Sequence, residues 1–406
     1  MASWLTNFYQ PTAPISEERI AVTGGASQNL ACLLQVFTDP VHTRNVWIVA
    51  PAYMLAFRIF DDSALKLRAV PEDEEGIDIE YLRTEIRESE AKARAQPNGE
   101  QPIKPQRPWS KFYRHIIYAV PTFSNPSFKT MTLKRREQLV RLAREYDALI
   151  ITDDVYDFLQ WPASLTAKHL SLDKAVLPRI VDIDRYLDGG AEREGADGFG
   201  NSVSNGSFSK IAGPGLRTGW CEGTSKLAFG VSQTGSSRSG GAPSQLAATF
   251  LGEIIESGDL QRHVYEVLQP SYGRRYQKFV RAIETELIPL GARLPQTDRD
   301  VVGGYFIWLT LPDGIKSITV VQRAKEEENV VVAQGEIFQV PGDTDHAGTH
   351  FEQDIRMCFA WEDEDVLAEG IERLARVIRG LQNEQQDGEA QSSMQHATKA
   401  SAEEFW

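Results

Sequence analysis

The chain has 406 residues, enough for one large domain with a smaller companion, and its formal net charge of -14 without a basic stripe argues against nucleic-acid partners. Its three cysteines, Cys32, Cys221 and Cys358, lie far apart without CxxC spacing, which favours a reducing compartment over a disulfide framework. No apolar run reaches membrane-spanning length and the N-terminus lacks the pattern of a leader peptide, so we expect a cytoplasmic protein with no membrane contact.

Apolar runs and helical patterns alternate through the first half of the chain. Buried strands are predicted in NVWIVAPAY (45–53), HIIYAVPTF (115–123) and ALIITDDVY (148–156). An amphipathic helix is predicted between the last two, because Leu139, Leu142 and Ala143 recur at helical spacing. Near-continuously apolar strands in strand, helix, strand order are typical of a mostly parallel sheet covered on both faces, so the predicted fold class is α/β.

The second half of the chain indicates a smaller domain. A helical stretch over 244–286 is predicted to lead out of the large domain. Short strands are predicted within 303–312, 329–338 and 354–361, a pattern that is typical of a small α+β domain.

Polar segments divide and end the chain. Segments 93–109 and 184–205 are predicted to be surface loops, and the polar, aliphatic-poor end is predicted to be disordered. The predicted organisation is a short N-terminal arm over 1–16, a large domain over 17–275, a small domain over 276–382 and a disordered tail over 383–406.

Two glycine-rich or amide-bearing clusters follow predicted strands or begin helices, where open α/β sheets bind ligands. In TGGASQNLACLLQVF, the backbone N–H groups near Ala26 and Ser27 can face an anion at a helix N-terminus, although an ordinary helix start is favoured by this stretch alone. In PTFSNPS, Asn125 can offer its amide to a ligand hydroxyl, although Asn-Pro is above all a turn former.

Two further clusters carry charged side chains. In ITDDVYDF, the carboxylate of Asp153 or Asp154 can accept a hydrogen bond from a protonated ring nitrogen and Tyr156 can donate one; the alternatives are a helix cap or a metal site, and no third metal ligand follows at suitable spacing. In SNGSFSKIAGPGLRTGW, the glycines and Pro214 indicate a shaped loop that holds Lys210 and Arg217. Lysine can form a Schiff base and arginine suits a phosphate, although two solvated loop charges are an equal alternative.

One ligand uses all four clusters. Pyridoxal 5'-phosphate (PLP) requires a lysine for its aldehyde, a carboxylate for its ring nitrogen, hydroxyl and amide partners for its phenolic oxygen, and a glycine, serine and arginine cradle for its phosphate. The S-F-S-K motif over 207–210 is followed by P-G-L-R, with Arg217 seven residues after Lys210. This pattern resembles the fold type I PLP enzymes, specifically class I/II aminotransferases of the group that contains kynurenine and 2-aminoadipate aminotransferases.

The resemblance implies a fold and a set of roles. The implied fold is a mostly parallel central sheet between helices, with a smaller C-terminal α+β domain. Lys210 would be the Schiff-base lysine and proton shuttle, Asp153 would pair with the pyridine nitrogen, and Tyr156 and Asn125 would bind the phenolic oxygen. The resemblance also implies that Ala26, Ser27, Ser207 and Arg217 contact the cofactor phosphate and that Tyr53, two residues after Pro51, contacts the cofactor ring. It further implies that Asn125 contacts the substrate and that Arg356 binds the substrate carboxylate.

The chain also departs from the family pattern. About twenty residues precede Gly24, whereas family members carry several tens that include a lid and a tyrosine reaching the partner subunit, so a shortened or absent lid is expected. Phe128 stands where the family usually has a small residue. The family forms homodimers, and Arg238 in the loop over 232–245 lies where it contributes groups across the interface.

The implied activity is transfer of an amino group from an L-amino acid to a 2-oxo acid. The expected amino donor has an aromatic, aliphatic or 2-aminoadipate-like side chain, in primary or specialised metabolism. Two alternatives stay open: β-elimination or C–S cleavage with the same cofactor, and a non-catalytic PLP-binding module. A DNA-bound regulator is disfavoured because no basic helix-turn-helix pattern precedes the domain.

Overall fold

A computed structural model describes residues 1–95, 101–164, 171–191, 193–240, 244–295, 299–343 and 347–403, with side chains to 387. The chain divides into two compact units: unit 1 has residues 1–273, 297–305 and 338–350, and unit 2 has residues 274–296, 306–337 and 351–406. The first boundary lies close to the predicted one at 275, but the predicted domains are continuous in sequence and the two units are not. The predicted arm over 1–16 also belongs to unit 1.

The strands and helices are numbered in chain order. The strands are β1 (Ile20–Thr23), β2 (Asn45–Ala50), β3 (Leu67–Asp73), β4 (Gly76–Ile77), β5 (His115–Ala119), β6 (Ala148–Asp153), β7 (Gln160–Pro162), β8 (Ser202–Ser207), β9 (Gly219–Glu222), β10 (Val301–Gly303), β11 (Phe306–Thr310), β12 (Ala333–Gln334) and β13 (Asp354–Cys358). The α-helices are α1 (Ala2–Tyr9), α2 (Ala26–Phe37), α3 (Met54–Asp61), α4 (Ile79–Arg94), α5 (Leu133–Glu145), α6 (Ile180–Tyr186), α7 (Ser225–Ser232), α8 (Gly235–Arg238), α9 (Gln245–Glu256), α10 (Asp259–Arg262), α11 (Gln269–Glu286), α12 (Ser317–Glu328) and α13 (Leu367–Glu403). Within the described ranges, no helix is both long and apolar enough to cross a membrane.

Unit 1 is built on an eight-stranded sheet in the order β1, β9, β8, β6, β5, β2, β3, β4. Strands β3, β2, β5, β6 and β8 pair in parallel, and β9 runs antiparallel to both β8 and β1. The predicted strands correspond to β2, β5 and β6, whose aliphatic side chains fill the sheet centre, so the α/β prediction is confirmed. Parallel strands bring their carboxyl ends to one edge of the sheet.

Helix α5 shows how the sequence specifies a covering element. Its N-cap, Thr132, accepts a hydrogen bond from the backbone N–H of Arg135 at 3.2 Å, and Leu139, Leu142 and Ala143 are buried against the sheet as their spacing predicts. The helix therefore links β5 to β6 as a right-sized crossover between parallel neighbours.

The N-terminal helix α1 is part of the unit 1 core. Trp4 stacks on Phe158 with ring centroids 4.6 Å apart, and Phe8 stacks on the same ring at 4.2 Å. Trp4 also stacks on Phe208, which begins the turn that carries Lys210. Burial of these aromatic rings stabilises the region beneath that turn.

Unit 2 contains an antiparallel sheet in the order β11, β13, β12, with Arg356 opposite Trp308 and Ala333. The predicted strand over 329–338 is wrong in most of its length, because only Ala333–Gln334 pair and a 3-10 turn follows. Helix α13 continues past Asn383, where disorder was predicted, and both carboxylate oxygens of Glu384 accept from Arg323 Nη1, at 2.8 and 2.9 Å.

Candidate active site

The carboxyl edge of the unit 1 sheet carries the predicted site residues. Asp153 ends β6, Ser207 ends β8, and Lys210 closes the 3-10 turn that follows β8. The other predicted residues of unit 1 follow β1, β2, β5, β6 or the Lys210 turn: Ala26, Ser27, Tyr53, Asn125, Tyr156 and Arg217. Arg356 lies on β13 in unit 2.

Asp153 is held by two partners that the sequence analysis did not single out. The hydroxyl of Tyr118 donates to Asp153 Oδ2 at 3.0 Å, and the amide of Asn205 lies 3.3 Å from Oδ1. Asn205 also donates to the carbonyl of Ala26 at 3.0 Å, which ties β8 to the start of α2. Burial raises the pKa of Asp153 to about 7, although part of its surface reaches solvent, so a nearby cation would strongly favour its carboxylate form.

Asp154 faces a different environment from its neighbour. Its Oδ2 accepts hydrogen bonds from Thr152 at 2.7 Å and from Ser204 at 2.5 Å, inside the sheet. Burial raises the pKa of Asp154, and the positive charge of Arg179 opposes that effect. Among the described residues no group of three or more metal-binding side chains converges here or elsewhere, and Asp154 serves the interior hydrogen-bond network.

Lys210 lies between aromatic rings. Its Nζ is 5.7 Å from the ring centroid of Tyr156 and 5.2 Å from that of Tyr305, distances at which a ring face attracts an ammonium group. The two tyrosine rings meet edge to face with centroids 5.6 Å apart. The lysine is therefore partly buried, with the rings of two tyrosines beside its amine, which favours a built site over a solvated loop charge.

Arg217 lies over the start of α2. Its Nη2 donates to the carbonyl of Gly24 at 3.3 Å, and its Nη1 lies 3.4 Å from the hydroxyl of Ser209. Gly25 has a φ of +95°, and a Cβ there would lie 2.8 Å from Arg217 Nη2. Glycine therefore allows the guanidinium group to approach the N-terminus of α2, where no side chain of the N-cap residue occupies the backbone N–H groups.

The two serines of the S-F-S-K motif are bonded to each other. Ser207 Oγ donates to Ser209 Oγ at 3.0 Å and accepts from the Ser209 N–H at 3.2 Å. Ser209, which sequence reasoning missed, is the serine in contact with Arg217. Its position directly before Lys210, two residues after Ser207, is the signal that could have found it.

The turn after β5 keeps its shape with an unusual residue. Phe128 adopts a φ of +66°, in the left-handed region that favours glycine, and its N–H donates to the carbonyl of Ser124 at 2.8 Å. Asn125 within this turn is buried. The Phe128 side chain is therefore accommodated in a turn that is closed by this hydrogen bond.

A mostly parallel sheet whose carboxyl edge presents a lysine beside two tyrosine rings, a largely buried aspartate and an arginine at a helix N-terminus defines a PLP-dependent enzyme of fold type I. Residues 1–374 match the model of the family "Aminotransferase class I and II", and the chain belongs to that family.

Relatives of several kinds support this membership. The chain is 34% identical to an uncharacterized protein of Saccharomyces cerevisiae over 88% of this chain and 78% of that one. It is 27% identical to aromatic-amino-acid aminotransferase 1 of Thermococcus litoralis over 93% of this chain and 76% of that one. A crystal structure of the kynurenine aminotransferase of Pyrococcus horikoshii, solved in complex with PMP, is similar with a TM-score of 0.70 and 27% identity, over 93% of this chain and 78% of that one.

The residues of the carboxyl edge fit PLP, the cofactor of this family. The space that a Cβ at Gly25 would fill leaves the N–H groups of α2 and the guanidinium group of Arg217 open to a phosphate. Because burial raises the pKa of Asp153, a cation such as a protonated ring nitrogen would stabilise its carboxylate form.

We expect Gly25→Ala to weaken PLP binding about tenfold and to lower the free energy of unfolding by about 1–2 kcal/mol, because the new Cβ strains a left-handed backbone and displaces Arg217. Fluorescence titration with PLP and urea unfolding measure the two effects. The control is Gly252→Ala in α9, where a Cβ meets no atom within 4 Å and added helix propensity should be neutral or stabilising. Unchanged PLP affinity in Gly25→Ala would show that the cofactor phosphate does not bind at this position.

Proposed function

We propose that this aminotransferase transfers the amino group of an L-amino acid with a large side chain, aromatic, aliphatic or 2-aminoadipate-like, to a 2-oxo acid. The observation that carries the proposal is the Lys210 amine beside the rings of Tyr156 and Tyr305, on the sheet edge where Asp153 lies. The similarity to an aromatic-amino-acid and a kynurenine aminotransferase supports the class of amino donor.

Each residue on the carboxyl edge has a proposed task. When bound, PLP supplies the electron-withdrawing system that stabilises negative charge at the substrate Cα. Lys210 Nζ would hold the cofactor through its aldehyde carbon and, once released, would move the proton from the substrate Cα to that carbon. Asp153, held in place by Tyr118 and Asn205, keeps the ring nitrogen protonated.

The remaining predicted residues bind and orient. Tyr156 and Asn125 hold the phenolic oxygen of the cofactor, and Tyr53, at the start of α3, packs against its ring. The phosphate is bound by Arg217 together with the N–H groups of α2, which begins at Ala26. The other proposed contacts are Ser27 and Ser207 for the phosphate, and Asn125 and Arg356 for the substrate.

The proposal is tested by absorption spectroscopy of the PLP-loaded protein during addition of a panel of L-amino acids. Amino transfer is expected to convert bound PLP to its amine form and release the matching 2-oxo acid, with the largest rates for donors with large side chains. Release of pyruvate with ammonia or a thiol from a β-substituted amino acid would instead establish elimination. A spectrum that no donor alters would leave a PLP-binding module without turnover.

We also propose a homodimer in the cytoplasm. The three cysteines are free thiols in the structure, which suits a reducing compartment. Leu246 and Phe250, one turn apart on α9, expose 72% and 62% of their surfaces, and a second copy of the chain would cover such an apolar pair.

We expect Phe250→Glu to shift the dimer toward monomer, because a carboxylate would be buried without a partner at the interface. Size-exclusion chromatography with light scattering measures the mass at several protein concentrations. The matched control is Val331→Glu in unit 2, which places the same charge on a side chain that is 79% exposed. Equal masses for Phe250→Glu and wild type would exclude α9 from the interface.

A further inference from the structure

Tyr305 contacts Lys210 in two ways. Its Oη donates a hydrogen bond to the carbonyl of Lys210 at 3.0 Å, and its ring centroid lies 5.2 Å from the Lys210 amine. The first contact restrains the main chain that carries the lysine, and the second attracts the amine in its charged form. The Tyr305 side chain therefore contacts both the main-chain carbonyl and the side-chain amine of Lys210.

A second tyrosine orients the first. The hydroxyl of Tyr272 donates to Tyr305 Oη at 3.3 Å, and the two rings lie 5.1 Å apart. Tyr305 Oη donates its only proton to the carbonyl of Lys210, and a lone pair of the same oxygen accepts the hydrogen bond from Tyr272. The ring of Tyr272 packs in turn on Trp161 of β7.

The backbone that carries Tyr305 is fixed by close contacts. Strand β10 pairs with β7, and a Cβ at Gly303, the residue that ends β10, would lie 2.1 Å from the carbonyl oxygen of Leu159 and 2.6 Å from the ring of Phe123. Gly304 has a φ of +82° and donates its N–H to the same carbonyl at 3.0 Å. The position of Tyr305 is therefore set by main-chain packing that only glycine permits.

We propose that Tyr305 is a positioning residue for Lys210, with its hydroxyl fixing the lysine main chain, its ring confining the amine opposite Tyr156, and Tyr272 orienting that hydroxyl. The proposal rests on the proposed function in that the amine so positioned is the one that moves the Cα proton. The positioning role also applies to the cofactor-free chain, because every contact that supports it lies within unit 1.

Three variants separate the contacts. Tyr305→Phe keeps the ring and removes the hydrogen bond to Lys210, Tyr305→Leu removes both, and Tyr272→Phe leaves Tyr305 intact without its donor. The matched control is Tyr186→Phe, the same change on an exposed side chain of α6. Tyr305→Phe removes a single oxygen atom and keeps the ring, so it keeps the test open if Tyr305→Leu fails to fold.

The first measurement is the rate at which acetic anhydride acylates Lys210 in the cofactor-free protein, relative to the exposed Lys92, quantified by peptide mass spectrometry. We expect Lys210 to react about threefold faster in Tyr305→Phe and about tenfold faster in Tyr305→Leu, because the amine loses its restraint and then its ring contact. Tyr272→Phe should show a smaller increase, and Tyr186→Phe should match the wild type.

The second measurement is steady-state transamination. We expect Tyr305→Phe to lower kcat about tenfold with less than a twofold change in the KM of the amino donor, since proton movement and not donor binding is affected. Equal acylation of Lys210 in wild type and Tyr305→Phe, or an equal change in Tyr186→Phe, would overturn the proposal. If wild type shows no transamination while the acylation pattern holds, the proposed function fails and the positioning role stands.

Discussion

Lys210→Ala is expected to lower kcat for transamination by roughly 10⁴-fold or more, because the variant loses both the covalent anchor of the cofactor and the group that moves the Cα proton. The Lys210 amine lies 5.7 Å and 5.2 Å from the ring centroids of Tyr156 and Tyr305, so the alanine variant leaves an open space beside the two rings. Stopped-flow spectroscopy of one half-reaction, with the best donor of the amino-acid panel, measures the effect directly.

The matched control for this variant is Lys92→Ala. Lys92 has 79% of its side chain exposed and forms an ion pair with Glu88 one turn away, so its removal should leave the half-reaction unchanged. Added methylamine should restore part of the rate in Lys210→Ala, since a small amine can enter the space that the side chain leaves and accept the proton. A half-reaction rate in Lys210→Ala within tenfold of the wild type would contradict the assignment of the proton shuttle.

The sequence was sufficient where one apolar pattern decided one element. The strands β2, β5 and β6 each contain a run of buried apolar residues, and α5 combines a threonine N-cap with helical spacing, so local chemistry and tertiary burial agree. The S-F-S-K and P-G-L-R motif led to the family because its side chains serve one cofactor at fixed spacing. These features require no knowledge of contacts between distant residues.

The sequence was insufficient where buried side chains are polar and form hydrogen bonds with residues that are remote in sequence. Strand β8 reads S-V-S-N-G-S, and its residues 202–205 were wrongly predicted to belong to a surface loop. Its buried polar side chains are hydrogen-bonded to partners that are remote in sequence, as Ser204 is to Asp154 and Asn205 to Asn29. Gly206 in that strand leaves room for the ring of Trp220, since a Cβ would lie 2.0 Å from it. Only the fold shows such pairs.

The same limit applies to the surroundings of the site. Tyr118 is 35 residues from Asp153 and Tyr305 is 95 residues from Lys210, so no local spacing connects them. The buried Arg179 is likewise bonded to Asp182 at 2.9 Å, paired with Glu222 at 2.8 Å and placed 3.6 Å from the centroid of the Tyr9 ring, joining α1 to the sheet. A charge inside the core can be predicted only together with its partners.

Asp153→Asn is expected to lower kcat by about 10²–10³-fold and at the same time to stabilise the cofactor-free protein at pH 8. The activity falls because the amide cannot hold a proton on the ring nitrogen by charge. The stability rises because the wild type must carry a buried carboxylate at that pH without a cationic partner on the cofactor.

The pH dependence fixes the sign of this effect. Because the pKa of Asp153 is raised from 3.8 to about 7 in the folded chain, its favourable contribution is complete below pH 3.8 and is lost as the pH rises through 7. The wild type should therefore lose about 1 kcal/mol of stability relative to Asp153→Asn between pH 5 and pH 8, about half of the linkage value for that interval because part of the residue reaches solvent. Urea unfolding of both cofactor-free proteins at the two pH values measures the difference. Asp188→Asn makes the same change on an exposed residue and should show no such loss. Parallel pH profiles for wild type and Asp153→Asn would mean that burial does not raise the pKa of the Asp153 carboxyl group in the folded, cofactor-free protein.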